Sequence, residues 1–293
     1  MEELTAAAAA GKPVMLIVGD LGWGVVEEFA DRFPNNFINA GVAEQNMMGM
    51  AAGLAAEGYH VFCYSIANFP TFRCAEQIRN DVDYHNLPVT VVAVGGGLAY
   101  GSLGYSHHAV QDYALMRCMP NMLIAAPGDD YEARACVRYL IDNPQPSYLR
   151  LGRGGESNIH TEIPTIEPGK WIHLATIAGN LEGVGFVSTG TADNDMSKPG
   201  EYFRLPMWGM KYKNMQAQQL RHLNSVITRE DHLPDGGFGS WMLEALHKYD
   251  VVLRMEALDP KICGMVGSTD YLLNQGKLRR SLSWGQAVKL PAT

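Results

Sequence analysis

Short apolar runs that alternate with helical segments constrain the fold of this chain more than any other feature. The runs lie at 14–18, 61–64, 89–94 and 123–126. Helical patterns lie between them, around 25–33 and from Ala43 onward. Short apolar runs bounded by turn signals are typical of strands buried on both faces, and strands that alternate with helices favour parallel pairing. The sequence therefore predicts an α/β fold, with a mostly parallel sheet covered by helices on both faces.

A stretch without periodicity divides the chain. Residues 152–170 are rich in Gly, Pro, Ser, Asn and Thr, which is typical of a linker. The strand-like runs beyond it lie at 184–187, 225–228 and 251–255. A glycine-rich turn and a helical pattern from Trp241 stand among these runs, so the α/β alternation continues. We therefore predict two domains, residues 1–160 and a smaller α/β domain at 161–293.

Composition excludes several classes of partner. The net charge is −8 and the Lys and Arg residues are dispersed. The sequence therefore predicts no basic patch that could bind nucleic acid or an anionic membrane. No apolar run reaches the roughly 18 residues that a membrane span needs, and the first residues lack the positive region of a signal peptide. The five cysteines are odd in number and lack metal-ligand spacing. We therefore predict a cytoplasmic protein without a disulfide framework and without a metal site of its own.

One acidic residue, Glu44, stands at the head of an otherwise apolar helical segment. From Ala43 onward the sequence has Ala, Met and Leu on nearly every side of the helical repeat, so we predict a helix buried all round. A carboxyl group removed from water needs a charged partner or a proton, and both are common at functional sites. The alternative is a first-turn acid that complements the helix dipole, worth about 0.3 to 1 kcal/mol. The residues alone leave both interpretations open.

Several segments together resemble one protein family. In chain order they are Gly-Val-Ala-Glu-Gln at 41–45, Glu-Gln-Ile-Arg-Asn at 76–80, Gly-Tyr-Ser-His-His at 104–108, Met-Pro-Asn-Met at 119–122 and Tyr-Leu-Arg-Leu-Gly-Arg at 148–153. Their order and spacing are similar to those of the pyrimidine-binding domain of transketolase. The segments 187–190, 236–240 and 267–272 are similar to the transketolase carboxy-terminal domain. The resemblance therefore covers nearly the whole chain.

The chain lacks the motif by which a complete transketolase holds the diphosphate of its cofactor. Transketolases hold the diphosphate of thiamine diphosphate through Mg²⁺ with a Gly-Asp-Gly motif that is followed by Asn, and neither 19–21 nor 128–130 completes that motif. The chain therefore resembles the C-terminal subunit of a split transketolase. The resemblance implies an N-terminal partner subunit that carries the diphosphate and Mg²⁺ site, and an α2β2 heterotetramer. It also implies that this chain alone is catalytically incomplete.

The resemblance assigns cofactor contacts to Glu44, Phe69 and Asp20. It implies that Glu44 donates a hydrogen bond to N1′ of the aminopyrimidine and so favours the tautomer whose 4′-nitrogen removes the C2 proton of the thiazolium. A carboxyl in an apolar site suits this role, because burial favours its protonated form. Phe69 matches the aromatic residue that stacks on the pyrimidine, and its alternative is a core Phe. Asp20 matches an aspartate near the cofactor, and its alternative is an N-cap for the helix that follows Gly24.

Substrate contacts are implied for His107, His108 and Arg153. His107 matches the histidine that contacts the donor's hydroxyl and carbonyl oxygens, and an imidazole suits proton transfer near neutral pH. His107 and His108 together would form a pair of histidines that lines the substrate funnel. The alternative is that both lie on a surface loop and have no role. Arg153 matches the phosphate-binding arginine of the family, and its guanidinium suits a bidentate contact with a phosphate or a carboxylate. The alternative is a plain surface ion pair.

Other substrate positions depart from the family. Typical transketolases have a phosphate-binding histidine at the position of Gly95, an aspartate that reads a sugar hydroxyl at that of Leu103, and a phosphate-binding serine at that of Gly24. Gly95 opens a Gly-Gly-Gly segment after the 89–94 run, where we expect the glycines to let a ligand approach the backbone. These departures leave the identity of the small sugar substrate open.

Three functions remain after this comparison of residues. The leading hypothesis is the pyrimidine-binding subunit of a thiamine diphosphate-dependent enzyme that moves a two-carbon ketol unit from a ketose to an aldehyde. The second is a decarboxylating carboligase that is similar to deoxyxylulose-phosphate synthase and uses pyruvate as donor. The third is a non-catalytic scaffold subunit that kept the fold and lost the reaction. The joint presence of Glu44, Phe69 and His107 favours a catalytic subunit over the scaffold.

Overall fold

The computed structural model of the chain describes residues 1–179, 183–192, 196–220 and 222–278, and the backbone of 288–289. The α-helices are α1 (Glu2–Ala9), α2 (Glu27–Arg32), α3 (Glu44–Ala56), α4 (Asn68–Thr71), α5 (Ala75–Gln77), α6 (Asp112–Met116), α7 (Asp130–Asp142), α8 (Phe238–Leu246) and α9 (Thr269–Gln275). A π-helical segment, Ile78–Asp83, continues α5. Within the described ranges, no helix is both long and apolar enough to cross a membrane.

The strands are β1 (Val14–Val18), β2 (Phe37–Asn39), β3 (His60–Ile66), β4 (Val89–Val94), β5 (Leu123–Ala125), β6 (Ser147–Leu151), β7 (Ile172–Ile177), β8 (Val184–Ser188), β9 (Gly200–Arg204), β10 (Met207–Trp208), β11 (Ser225–Arg229), β12 (Val252–Glu256) and β13 (Val288–Lys289). Short 3-10 turns occupy Pro34–Asn36, Phe72–Cys74, Gly101–Leu103, Tyr105–His107, Met210–Met215, Ala217–Gln219 and Pro260–Gly264. The predicted runs at 14–18, 61–64, 89–94 and 123–126 are confirmed as strands.

The strands form two sheets. In the first sheet, β5-β6-β4-β3-β1-β2 are parallel, and β10 lies antiparallel at the outer edge of β5. In the second sheet, β12-β11-β8-β9 are parallel, and β13 and β7 are antiparallel edge strands. The prediction of a mostly parallel α/β fold with a second, smaller α/β unit is confirmed.

Successive residues of the first sheet serve two different hydrophobic cores. Ile17 and Cys63 are paired in register and pack with α3, whereas their neighbours Leu16 and Phe62 pack on the opposite face with α1 and α7. Adjacent side chains of a strand point to opposite faces. Because both faces are covered, the strands contain continuous apolar runs rather than an alternating pattern.

Helix α3 is not buried on all sides, so that prediction is wrong. Its buried face includes Met47, Met48 and Ala51, and its exposed face includes Gln45 and Gly49. The exposed face is built from small and amide side chains. Of the three Met residues of α3, Met47 and Met48 are buried in the core, and Met50 is partly buried. The apolar composition was a correct indication, but the helix is amphipathic in side-chain size rather than in polarity.

The second half of the chain also contributes to the first sheet. Trp208 of β10 pairs with Ile124 of β5, and its indole is fully buried against Tyr113, Phe238 and Trp241. Residues 152–171, all of them described, form neither helix nor strand. The linker therefore has the irregular structure that was predicted. The domain division at 160/161 stays a prediction. One strand from beyond this point, β10, lies in the first sheet.

Candidate active site

The candidate active site lies at the edge of the first sheet where the parallel strands end. Asp20, Phe69, Gly95 and Arg153 follow the ends of β1, β3, β4 and β6, and Glu44 opens α3 shortly after β2. Ligands of parallel α/β sheets bind outside the carboxyl ends of the strands. Residues far apart in sequence meet at this edge because the six parallel strands share one direction.

Glu44 is almost completely buried and has a charged partner. It is the first residue of α3, its side chain is 1% exposed, and Nη1 of Arg73 donates a hydrogen bond to its Oε2 at 2.7 Å. The partner offsets the lost hydration of the carboxylate. Burial, and then the negative charge of Glu44, raises the pKa of the neighbouring Cys74 to about 12, so this thiol stays protonated.

Arg73 was missed by sequence reasoning, and it connects Glu44 to Phe69. Its guanidinium lies over the Phe69 ring with Cζ 4.6 Å from the ring centroid, which is a cation–π contact. Phe69 is half-buried on the short helix α4, so the alternative of a core Phe does not describe it. The spacing of four residues between Phe69 and Arg73 was the available signal, because residues four apart share one helical face.

His107 extends this group of side chains. Its ring meets the Phe69 ring edge-on at 5.4 Å between centroids, and its Nδ1 lies 3.0 Å from Oγ of Ser106. Nδ2 of Asn68 donates hydrogen bonds to the carbonyl oxygens of Ser106 at 3.1 Å and His108 at 3.0 Å. The loop that carries His107 is thereby fastened to the helix that carries Phe69.

His108 does not lie beside His107 in the open site. It is 1% exposed, and its Nε2 lies 3.3 Å from the carbonyl oxygen of Gly101. A substrate role for His108 stays a prediction, but its burial makes support of the loop the better interpretation. Adjacent residues of an irregular loop commonly point in different directions, so the sequence pair did not indicate which imidazole would face the site.

Arg153 lies at the far side of the site, on an aromatic ring that the sequence analysis did not single out. Its Cζ is 5.7 Å from the centroid of the Tyr100 ring, and the Tyr100 ring in turn meets the His107 ring edge-on at 6.4 Å. Among the described residues, no carboxylate lies within ion-pair distance of the Arg153 guanidinium. The alternative of a plain surface ion pair is therefore not supported.

Asp20 is exposed at the end of β1 and has a left-handed backbone conformation with φ 57°. Its Oδ1 accepts a hydrogen bond at 3.0 Å from Nδ2 of Asn39, which ends β2. The N-cap alternative for Asp20 is wrong, because α2 begins only at Glu27 with Val26 in the cap position. The cofactor role of Asp20 stays a prediction, and its position at the same sheet edge as Glu44 is compatible with it.

The Gly-Gly-Gly segment after β4 packs against side chains rather than leaving the backbone open. A Cβ on Gly95 would lie 2.1 Å from Cε2 of Tyr100, one on Gly96 2.7 Å from Nε of Arg150, and one on Gly97 2.1 Å from Oδ2 of Asp231. The expectation that these glycines admit a ligand is therefore wrong. They are required because other side chains of the chain occupy the space of a side chain at each position.

Glu44, Arg73, Phe69, His107, Tyr100 and Arg153 thus form one continuous line of contacts along the sheet edge. A buried carboxyl group beside a half-buried aromatic ring fits the pyrimidine part of thiamine diphosphate, which needs a hydrogen-bond partner and a flat apolar contact. Within the ranges that the structure describes, no group of three or more His, Cys, Asp or Glu side chains could hold a metal ion. The residues therefore fit the pyrimidine end of that cofactor.

Comparisons with known proteins show which proteins this chain is similar to. Residues 1–155 match the family model described as the transketolase pyrimidine binding domain. A protein of Methanocaldococcus jannaschii named as the C-terminal section of a transketolase is 34% identical over 259 residues, which are 84% of this chain and 79% of the relative. The 1-deoxy-D-xylulose-5-phosphate synthase of Aquifex aeolicus is 36% identical over 273 residues, which are 87% of this chain but 40% of that longer protein.

A solved structure carries the likeness over the whole fold. It is described as a split gene transketolase in an inactive beta4 tetramer, and it superposes with a TM-score of 0.79 at 28% identity. The superposition covers 94% of this chain and 91% of the other. The matched domain, the M. jannaschii relative and the shared fold establish that this chain belongs to the transketolase family.

Proposed function

We propose that this chain is the pyrimidine-binding subunit of a thiamine diphosphate-dependent enzyme that transfers a two-carbon ketol unit from a ketose donor to an aldehyde acceptor. The observation that carries the proposal is the buried carboxyl group of Glu44 at the head of α3, linked to the half-buried ring of Phe69 at the carboxyl edge of the sheet. The matched pyrimidine binding domain supports thiamine diphosphate as the cofactor.

Glu44 and Phe69 would hold the pyrimidine ring of the cofactor. When bound, thiamine diphosphate supplies the carbanion chemistry of ketol transfer, and the protein orients it and excludes water. Glu44 would hold a proton at its buried carboxyl group, and Phe69 would fix the ring plane by stacking. Arg73 occupies both contacts in the structure, and its side chain is 45% exposed. Arg73 would therefore turn toward solvent when the ring takes its place.

His107 and Arg153 would contact the substrate. Ser106 holds Nδ1 of the His107 imidazole at 3.0 Å, and no other hydrogen bond to that ring is found in the described part of the chain. Nε2 would therefore serve as the hydrogen-bonding and proton-transfer atom toward the oxygens of the donor. Arg153 lies farther along the same edge, where its N–H groups would bind a phosphate or carboxylate at the distal end of the substrate.

A partner subunit would complete the site. The split gene transketolase to which this chain is similar over 91% of its length supports a partner chain encoded apart from this one. We infer that this partner binds the diphosphate and Mg²⁺, that the assembly is an α2β2 heterotetramer, and that this chain is active only within it. A cytoplasmic location stays a prediction from the pattern of cysteines.

A carboligase that uses pyruvate is the second candidate. The 36% identity to the synthase of A. aeolicus favours it, and so do Gly95 and Leu103, where typical transketolases have donor-binding side chains. The donor separates the two candidates. Release of CO₂ from pyruvate, with no ketol transfer from a ketose, would select the carboligase.

The experiment that tests the proposal uses this chain combined with a chain that carries the Gly-Asp-Gly and Asn motif. Ketol transfer from xylulose 5-phosphate to an aldehyde is measured with thiamine diphosphate and Mg²⁺. We expect turnover only from the combined chains, and we expect Glu44→Gln to lower kcat by about 100-fold or more, because the buried carboxyl group can no longer exchange a proton. Glu57→Gln, at the exposed end of the same helix, is the matched control and should leave kcat unchanged.

Unchanged turnover of the Glu44→Gln complex would contradict the catalytic proposal and would favour a non-catalytic scaffold subunit. Circular dichroism of each variant distinguishes a loss of chemistry from a loss of fold.

A further inference from the structure

The loop after β4 places an aromatic wall inside the proposed site. Gly95 has a left-handed φ of 82°, and the ring of Tyr100 lies so close above it that a Cβ on Gly95 would be 2.1 Å from Cε2. No L-residue with a side chain fits there without displacing the ring. The ring of Tyr100 therefore occupies the space that a side chain at position 95 would fill.

The Tyr100 ring stands between two residues of the proposed substrate site. The His107 ring meets it edge-on at 6.4 Å, and the guanidinium of Arg153 lies over it at 5.7 Å. Tyr100 itself is half-buried, so part of its side chain is accessible to solvent. A ligand that extends from His107 to Arg153 would have to pass along this ring.

The contact with Tyr100 also determines how Arg153 can bind an anion. A guanidinium that rests on the face of a ring is stabilised through its own face, so its in-plane N–H groups remain available for a bidentate contact. In the described part of the chain, no carboxylate takes these N–H groups. Tyr100 therefore both orients the cation and leaves its hydrogen-bonding edge free.

We propose that Tyr100 is a specificity-determining residue of this enzyme: its ring lines the path between His107 and Arg153 and favours substrates that carry a polyhydroxy chain with an anionic end beyond the transferred two-carbon unit. The proposal rests on the proposed function. The ring supports the guanidinium of Arg153 on its face, and the anionic end of such a substrate would reach the N–H groups that this contact leaves free. A donor that ends at the transferred unit does not reach this ring, so the ring would not contribute to its binding.

The test compares two donors in the complex of this chain with its partner. Xylulose 5-phosphate has the distal chain and phosphate, whereas 3-hydroxypyruvate carries only the ketol unit and a carboxylate that leaves as CO₂. We expect Tyr100→Leu to raise KM for xylulose 5-phosphate by about three- to tenfold more than it raises KM for 3-hydroxypyruvate. Tyr100→Phe keeps the ring and should behave as the unaltered protein with both donors.

Tyr105→Leu is the matched control. Tyr105 is on the same loop, exposed, and hydrogen-bonded to Gln111, so its loss should leave both donors unaffected. Equal losses with both donors in Tyr100→Leu would show a structural role and overturn the proposal, as would a Tyr100→Phe variant as impaired as Tyr100→Leu. Absence of turnover with either donor in the unaltered complex would instead overturn the proposed function.

Discussion

The buried carboxyl groups of Glu44, Glu132 and Glu230 differ in what compensates for their lost hydration. Glu44 is paired with the partly exposed Arg73. For Glu132, burial alone would raise the pKa, but the buried Arg204 at 2.9 Å and the hydrogen bond from His160 outweigh it and lower the pKa to about 2. Glu230 accepts hydrogen bonds from backbone N–H groups at the start of α8, and burial outweighs them. The opposite pKa shifts of Glu132 and Glu230 determine how these two groups respond to pH.

Glu230 provides a test of pH-dependent stability. Burial raises the pKa of Glu230 to about 8 from its ordinary value of 4.5, so the folded chain holds a proton there that the unfolded chain has released. The free energy of unfolding should therefore fall as pH rises from about 5 to 8, with a slope of at most about 1.4 kcal/mol per pH unit from this group. Urea unfolding at several pH values measures it.

Glu230→Gln should remove this part of the slope, because an amide does not titrate. Its single oxygen can accept only one of the two backbone hydrogen bonds that the carboxyl group accepts from Phe238 and Gly239, so the variant should also be less stable at every pH. Glu57→Gln at the exposed end of α3 is the control and should retain the slope. An identical pH dependence in the Glu230→Gln variant and the unaltered chain would contradict the assigned protonation.

At the scale of elements, glycine has opposite effects in the loop after β4 and in α3. Gly97 has a φ of 66°, and Oδ2 of Asp231 lies where its Cβ would be. Asp231 cannot easily move, because Nη1 of Arg150 donates to its Oδ1 at 2.7 Å and Oγ1 of Thr191 donates to its Oδ2 at 3.0 Å. Gly49 lies within α3, and no atom is within 4 Å of its Cβ position. Packing requires glycine in the loop but not in the helix of the isolated chain.

Alanine substitutions at these two glycines should therefore change stability in opposite directions. We expect Gly97→Ala to lower the free energy of unfolding by about 2 to 4 kcal/mol, because it adds both a clash and an unfavourable backbone conformation. Gly49→Ala should raise it by about 0.5 to 1 kcal/mol, because alanine favours the helix. Chemical unfolding of both variants measures the difference, and a stable Gly97→Ala protein would contradict the packing described for this loop.

At the scale of the whole molecule, buried contacts join the two sheets. Arg150 of β6 is bound to Asp231 at 2.7 Å, and Arg204 of β9 is bound to Glu132 of α7 at 2.9 Å. Trp208 completes this connection, since its strand belongs to the first sheet and its ring packs against Trp241 of α8. Contacts of this kind cannot break singly at low cost, because each would leave a buried charge or a cavity.

The two sheets should therefore unfold together, with one calorimetric transition for the unaltered chain. Trp208→Ala should lower the free energy of unfolding by about 3 to 5 kcal/mol and divide the transition in two, because a fully buried ring that contacts both Tyr113 and Trp241 is removed. Trp23→Ala is the control, since Trp23 is 87% exposed and should not affect the transition. Two transitions in the unaltered chain would show that these contacts do not couple the sheets.

The sequence by itself determined the family and the mostly parallel α/β fold, and it predicted several candidate site residues. Strand periodicity and motif order are local, so β1, β3, β4 and β5 and the residues Glu44, Phe69 and His107 could be identified without coordinates. The motifs also predicted which of these residues would contact the cofactor and which the substrate. Each of these features depends on residues that are close together in the chain.

The tertiary structure alone decided which side chains contact one another at the site. Arg73 and Tyr100 were missed because their roles come from contacts with Glu44, Phe69 and Arg153, residues that follow different strands of the sheet. The two residues of β10 are too few to show a strand pattern in the sequence. They form a strand because they pair with β5. The physical reason is common to these cases: a parallel sheet brings the ends of distant segments to one edge, and no local pattern records which side chains then meet.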